Sequence, residues 1–119
     1  MKEIHVSQIT DTIARLCEDA THNLPEDVVA ALRRAEGNEE SPLARQVLVE
    51  ILDNVDLARR ETIPLCQDTG TTVVFVEAGQ DVHIVGGALV DAINAGVAKG
   101  YTEGFLRKSM VTQPFSARV

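Results

Sequence analysis

Three neighbouring side chains carry most of the chemistry this chain can offer: Cys66, Gln67 and Asp68, within Pro64-Leu65-Cys66-Gln67-Asp68-Thr69-Gly70. A thiolate at Cys66 could hold iron, and one thiolate holds one corner of an iron–sulfur cluster. The Gln67 amide both donates and accepts hydrogen bonds, and the Asp68 carboxylate can move a proton. Thr69 and Gly70 allow a close approach of backbone to ligand. Taken alone, these residues leave two readings open. A cysteine in a chain of this size is commonly a small buried apolar residue, and Gln-Asp-Thr-Gly is an ordinary polar turn. Composition and spacing favour that plainer reading.

The remaining candidates are weaker. Cys17 could pair with Cys66, but the chain reads as cytosolic, where disulfides are uncommon. His83 falls in a short apolar run and is expected to be packed or at the surface. His5 and His22 are expected to face solvent on and beside a helix. Gly86-Gly87 lacks the spacing of a dinucleotide fingerprint. Arg33-Arg34 and Arg59-Arg60 read as solvated helix faces, and the pair Arg107-Lys108 is ambiguous.

The elements that must position these residues are predicted as follows. Ile9, Ile13, Leu16 and Ala20 recur at helical spacing, so one helix is expected from Lys2 to about Thr21, with Cys17 beside its stripe. Pro25 opens a second helix whose apolar side is Val28, Val29 and Leu32, ending at Gly37. Ser41 caps a third, with Pro42 at its first position; its broad apolar face from Leu43 to Val55 predicts a central helix. Pro64 ends helical structure. Thr71–Val76 reads as a buried strand and Val82–Val85 as a second short one. Gly86-Gly87 opens a helix ending at Gly100, and another helical stretch could begin near Tyr101. The tail from Thr112 has no period, and no finishing element follows it, so a fragment is expected. The fold class is α/β (α+β): a helix-rich N-terminal region, about 2–60, then a Cys loop, 62–71, then a small sheet with a packed helix, 72–110. All 119 residues are expected to form one domain.

Charge narrows the partners. Eleven basic residues face 18 acidic ones, a net −7, which argues against nucleic acid and against an anionic membrane surface. A small anionic substrate stays open, because one or two local Arg residues outweigh a global charge. No apolar run is long enough to span a bilayer.

The string Ile63-Pro64-Leu65-Cys66-Gln67-Asp68-Thr69-Gly70-Thr71 resembles the first cluster-ligand motif of class I, iron–sulfur-dependent fumarate hydratases and the related L-tartrate dehydratases. The Gly86-Gly87 helix start and Phe105-Leu106-Arg107-Lys108-Ser109 are similar to the family's following segment. The resemblance covers essentially the whole chain, as the N-terminal part of the α subunit or α-like region. It implies that Cys66 is the first of three cysteine ligands of a [4Fe-4S] cluster. It implies that Gln67, Asp68 and Arg107 contact the substrate, with Asp68 a proton donor or relay. The implied reaction is reversible addition of water to fumarate, giving (S)-malate, or the related chemistry of L(+)-tartrate. The implied partners are a dicarboxylate, a β subunit or C-terminal domain, and further copies in a homo-oligomer, in the cytoplasm. Cys17 matches no family ligand, so this chain alone is expected to hold no stable cluster and to be inactive. Two rivals from other classes remain: a hydrolase or transferase with Cys66 as nucleophile and His83 as base, and a non-catalytic interaction domain.

Overall fold

The computed structural model describes residues 1–113 and 115. In chain order the elements are β1 (Lys2–His5), α1 (Val6–His22), α2 (Glu26–Asn38), α3 (Pro42–Glu61), β2 (Val82–Val85) and α4 (Leu89–Glu103). Helices outweigh a two-stranded sheet, the α+β class expected from the sequence. The chain divides into two compact units: Met1–Asp19 with Gln67–Val119, and Ala20–Cys66.

In the first unit β1 and β2 pair in parallel, with Lys2 opposite Val82 and His5 opposite Val85. This corrects the single helix expected from Lys2. Glu3-Ile4-His5-Val6 alternates polar and apolar residues, the period of a strand, and its partner is remote in sequence. The helix begins at Val6, where the His5 ring nitrogen Nδ1 accepts the Ser7 amide at 3.2 Å. A Cβ at Gly86 would overlap that same ring, and Gly86 sits at φ +93°, so glycine is required where β2 turns toward α4.

The buried stripe of α1 is Ile13, Ala14 and Cys17, with Ile9 packed beside it; Leu16 and Ala20 are exposed. Ile9, Ile13 and Cys17 are spaced four apart, so the stripe runs through the cysteine and not past it. Helix α4 lies against this stripe through glycine. A Cβ on Gly96 would fall 2.7 Å from the Thr10 carbonyl oxygen, and one on Gly100 would fall 2.7 Å from that of Ala14. The backbones therefore approach more closely than any larger residue allows. Thr10 Oγ1 donates to the Ala92 carbonyl at 3.0 Å, and Lys99 pairs with Asp11 at 2.8 Å across the same seam. Because Gly100 faces the seam from inside the helix, α4 continues to Glu103; the expected break at Gly100 and new helix near Tyr101 are one element. Leu106, 4 % exposed, closes the core from the segment after α4.

Thr71–Val76 does not enter the sheet. Thr72 and Val74 are half-buried while Val73 and Phe75 are exposed, so burial alternates as in a strand, but no ladder forms. β-Branched composition supplied the expectation; pairing needs a neighbour, and β1 and β2 take each other.

In the second unit α2 packs on α3. Pro25 stands at the N-cap of α2, and the helix runs through Gly37 to Asn38. Ser41 caps α3 by accepting the Ala44 amide. The apolar face of α3 is buried at Val55 and Ala58, but Leu43 is 76 % exposed and Val47 and Ile51 are also exposed. Its N-terminal half is therefore not central within the unit. His22, expected in solvent, is buried, and its Nε2 lacks a hydrogen-bond partner. Arg59 reaches both the Leu24 carbonyl and Glu26. Among the described residues no helix is long and apolar enough to cross a membrane. The end of the expected aperiodic tail, Pro114 and Ser116–Val119, lies outside the described residues.

Candidate functional site

α3 ends on Thr62 in the left-handed conformation, φ +55°, whose amide donates to the Ala58 carbonyl. That reversal, followed at once by Pro64, turns the chain into the Cys loop. Two hydrogen bonds within the second unit pin Leu65: its amide donates to the Thr21 carbonyl at 3.0 Å, and Asn54 Nδ2 donates to its carbonyl at 2.8 Å. Cys66, next in the chain, is an exposed thiol.

Gln67 and Asp68 begin the return of the chain to the first unit, and both are exposed. Asp68 Oδ1 accepts the Gly70 amide at 3.1 Å, an Asx turn that orients the carboxylate, and Gly70 takes φ +65° to allow it. Thr69 Oγ1 donates to the Arg107 carbonyl at 2.7 Å. Tyr101, from the last turn of α4, adds two bonds. Its hydroxyl donates to the Thr69 carbonyl at 3.4 Å and accepts from Thr72 Oγ1 at 3.2 Å. The Tyr101 carbonyl accepts the Leu106 amide at 3.0 Å. One aromatic residue thus joins the chain after Asp68 to the chain before Arg107. The sequence offers Thr69 only as a place where backbone can approach a ligand, and offers no role for the Tyr101 hydroxyl. Their signal is contact remote in sequence, which a single sequence does not display.

The result is a cleft of about 510 Å³ in the first unit, lined by Gly70, Thr71, Thr72, Asn94, Tyr101, Arg107, Lys108 and Ser109 among others. Of the sequence candidates, Arg107 lines this cleft. Gln67 and Asp68 precede its Gly70 rim in the chain, and Cys66 belongs to the other unit. His83 is exposed on β2, opposite Glu3.

Cys17 lies in the apolar cluster with Ile13 and Leu106. Burial pushes its thiol up from the ordinary value; the Thr72 hydroxyl opposes the rise and the Glu18 carboxylate adds to it. A thiol held neutral in a core is a packing group, not a ligand. Among the described residues no group of three or more His, Cys, Asp or Glu side chains is placed to hold a metal ion. Of the two thiols, Cys66 is the one exposed and so the one that could offer a thiolate to a cluster held by three cysteines.

Comparison with known proteins places the chain in a family. A profile of the family described as Fumarate hydratase (Fumerase) matches residues 10–119. A protein of Methanocaldococcus jannaschii named "Putative L(+)-tartrate dehydratase subunit alpha" is 35% identical over 107 residues, 87% of this chain and 37% of its own length. L(+)-tartrate dehydratase subunit alpha of Escherichia coli K12 is 28% identical over 85 residues, 71% of this chain and 28% of its own length. The protein of the same name from Shigella boydii aligns to the same extent. The chain spans 37% of the length of the first of these relatives and 28% of the length of the other two. With a family match that takes in the Cys loop, the cleft and α4, this chain belongs to the fumarate hydratase family.

Proposed function

We propose that residues 1–119 act as the N-terminal part of a hydro-lyase α subunit or α-like region, forming one wall of an active site that reversibly adds water to fumarate. The observation that carries this reading is the 2.7 Å hydrogen bond from Thr69 Oγ1 to the Arg107 carbonyl. It ties the chain next to Asp68 to the one cation the family motif singles out.

Roles follow from side-chain chemistry. The Arg107 guanidinium is a planar fork suited to a carboxylate. The Gln67 amide orients the substrate by donating and accepting. Asp68, held by its Asx turn, donates or relays the proton exchanged at carbon, and Cys66 supplies one thiolate. The [4Fe-4S] cluster, when bound by Cys66 together with two donors from outside this chain, supplies a Lewis acid for a substrate oxygen. A C-terminal domain or β subunit completes the site, in a cytoplasmic homo-oligomer.

A second reading, dehydration of L(+)-tartrate, is supported by the names of the relatives reported above. Both use the same residues on a four-carbon dicarboxylate. Assaying this chain together with the polypeptide that completes it, on fumarate and on L(+)-tartrate, separates them. Turnover of fumarate is expected. Faster turnover of tartrate favours the second reading, and inactivity on both removes the hydro-lyase assignment. Asp68→Asn should lower kcat roughly 10²–10⁴-fold, the usual contribution of a positioned proton-transfer group.

A further inference from the structure

The cleft beside Arg107 differs in charge from the chain around it. The protein carries 18 acidic and 11 basic side chains, yet no Asp or Glu lines this cleft, while Arg107 and Lys108 both do. Lys99 pairs with Asp11, Arg59 with Glu26 and Arg60 with Glu61, each away from the residues lining this cleft. Among the described residues neither Arg107 nor Lys108 enters an ion pair. Two adjacent uncompensated cations on a concave wall focus a positive potential and favour an anion there. At about 510 Å³ the cleft lies within the ~300–1,000 Å³ typical of small-molecule sites.

The wall is also braced. The Thr72 hydroxyl is shared between Tyr101 and the Cys17 thiol, and the Tyr101 hydroxyl donates to the Thr69 carbonyl. Among the described residues the charged groups lining the cleft are the two cations, and Asn94 of α4 adds a neutral amide to the lining.

We infer that Lys108 is a second anion-binding residue of this cleft. It takes the carboxylate that Arg107 does not, so that the pair selects a dicarboxylate over a monocarboxylate. The identity of the ligand rests on the hydro-lyase reading; the charge of the cleft does not. A lysine suits the task as a compact point charge on a flexible stem, beside an arginine that fixes orientation.

The test is a titration of the 119-residue chain with fumarate and, separately, with crotonate, which has the same double bond and one carboxylate, followed by nitrogen–proton correlation NMR. Fumarate should shift the amides of Asn94 and Ser109. Lys108→Gln should weaken fumarate roughly tenfold, the scale of one charge-assisted hydrogen bond at a partly open site. Lys108→Arg should restore most of that loss, and crotonate should lose distinctly less than fumarate. Absence of fumarate binding at the cleft, unchanged affinity in Lys108→Gln, or an equal loss for crotonate would overturn the inference. If fumarate binding depends on Lys108 but the completed protein hydrates nothing, the hydro-lyase reading fails and the inference stands. If hydration proceeds while fumarate binding ignores Lys108, the reverse holds.

Discussion

The two cysteines stand in different surroundings. Cys17 is packed against Ile13 and Leu106, and Cys66 is exposed on a loop. Iodoacetamide on the native chain should therefore label Cys66 well before Cys17, as peptide mass mapping over time would show; equal rates would contradict the buried placement. Cys17 also carries a pH signature. Its thiol is pushed above the ordinary value of 9.0, first by burial. A group whose folded pKa is raised contributes stability that is fully present below its unfolded pKa and is lost as pH rises through the folded one. Urea unfolding should therefore show stability declining above about pH 9, and Cys17→Ala should flatten that alkaline decline. From the sequence, Cys66 was recognisable because its neighbours form a specific string. Cys17 was placed only beside the apolar stripe, because the spacing of Leu16 and Ala20 competed with the true one.

At the level of elements, glycine sets the seam between α1 and α4. Gly96 and Gly100 each face a carbonyl of α1 at a distance no Cβ tolerates. Gly100→Ala gains about 1 kcal/mol of helix propensity, but a new methyl in a filled seam costs about 1–3 kcal/mol. Thermal unfolding should show a net loss, and a raised Tm would mean that the helices separate easily. The opposite outcome is expected at Thr62, a β-branched residue at φ +55°. Thr62→Gly relieves left-handed strain at the C-cap and should stabilise by up to about 1 kcal/mol, although glycine's freedom in the unfolded chain offsets part of this. The caps and prolines of α2 and α3 were legible because they are local signals. The seam was not: in a single sequence Gly100 reads as a helix stop, and only the partner helix shows why it stands inside one. β1 was missed for a related reason, since a four-residue alternation is overshadowed by the longer helical period that follows.

For the whole molecule, the net charge of −7 argues against polyanionic partners, while one cleft concentrates uncompensated positive charge. The α+β class was legible because helix periodicity dominates the first half of the chain. The candidate site was legible in part. Cys66, Gln67, Asp68 and Arg107 stand in short motifs as proposed residues, whereas the hydrogen bonds of Thr69 and Tyr101 that link the chain around them are remote in sequence. The exposed face of α3 at Leu43, Val47 and Ile51 was taken for core, because periodicity reports which face is apolar and not what covers it. The chain spans 28–37% of the length of the relatives reported, and the proposed site likewise draws on donors outside it. The central claim is that Cys66 holds one corner of a cluster completed elsewhere. Its most direct test is iron and sulfide content after anaerobic reconstitution of the completed protein, comparing wild type, Cys66→Ser and Cys17→Ser. Cys66→Ser should lose the cluster while Cys17→Ser retains it. A full complement of iron and sulfide in Cys66→Ser would contradict the account.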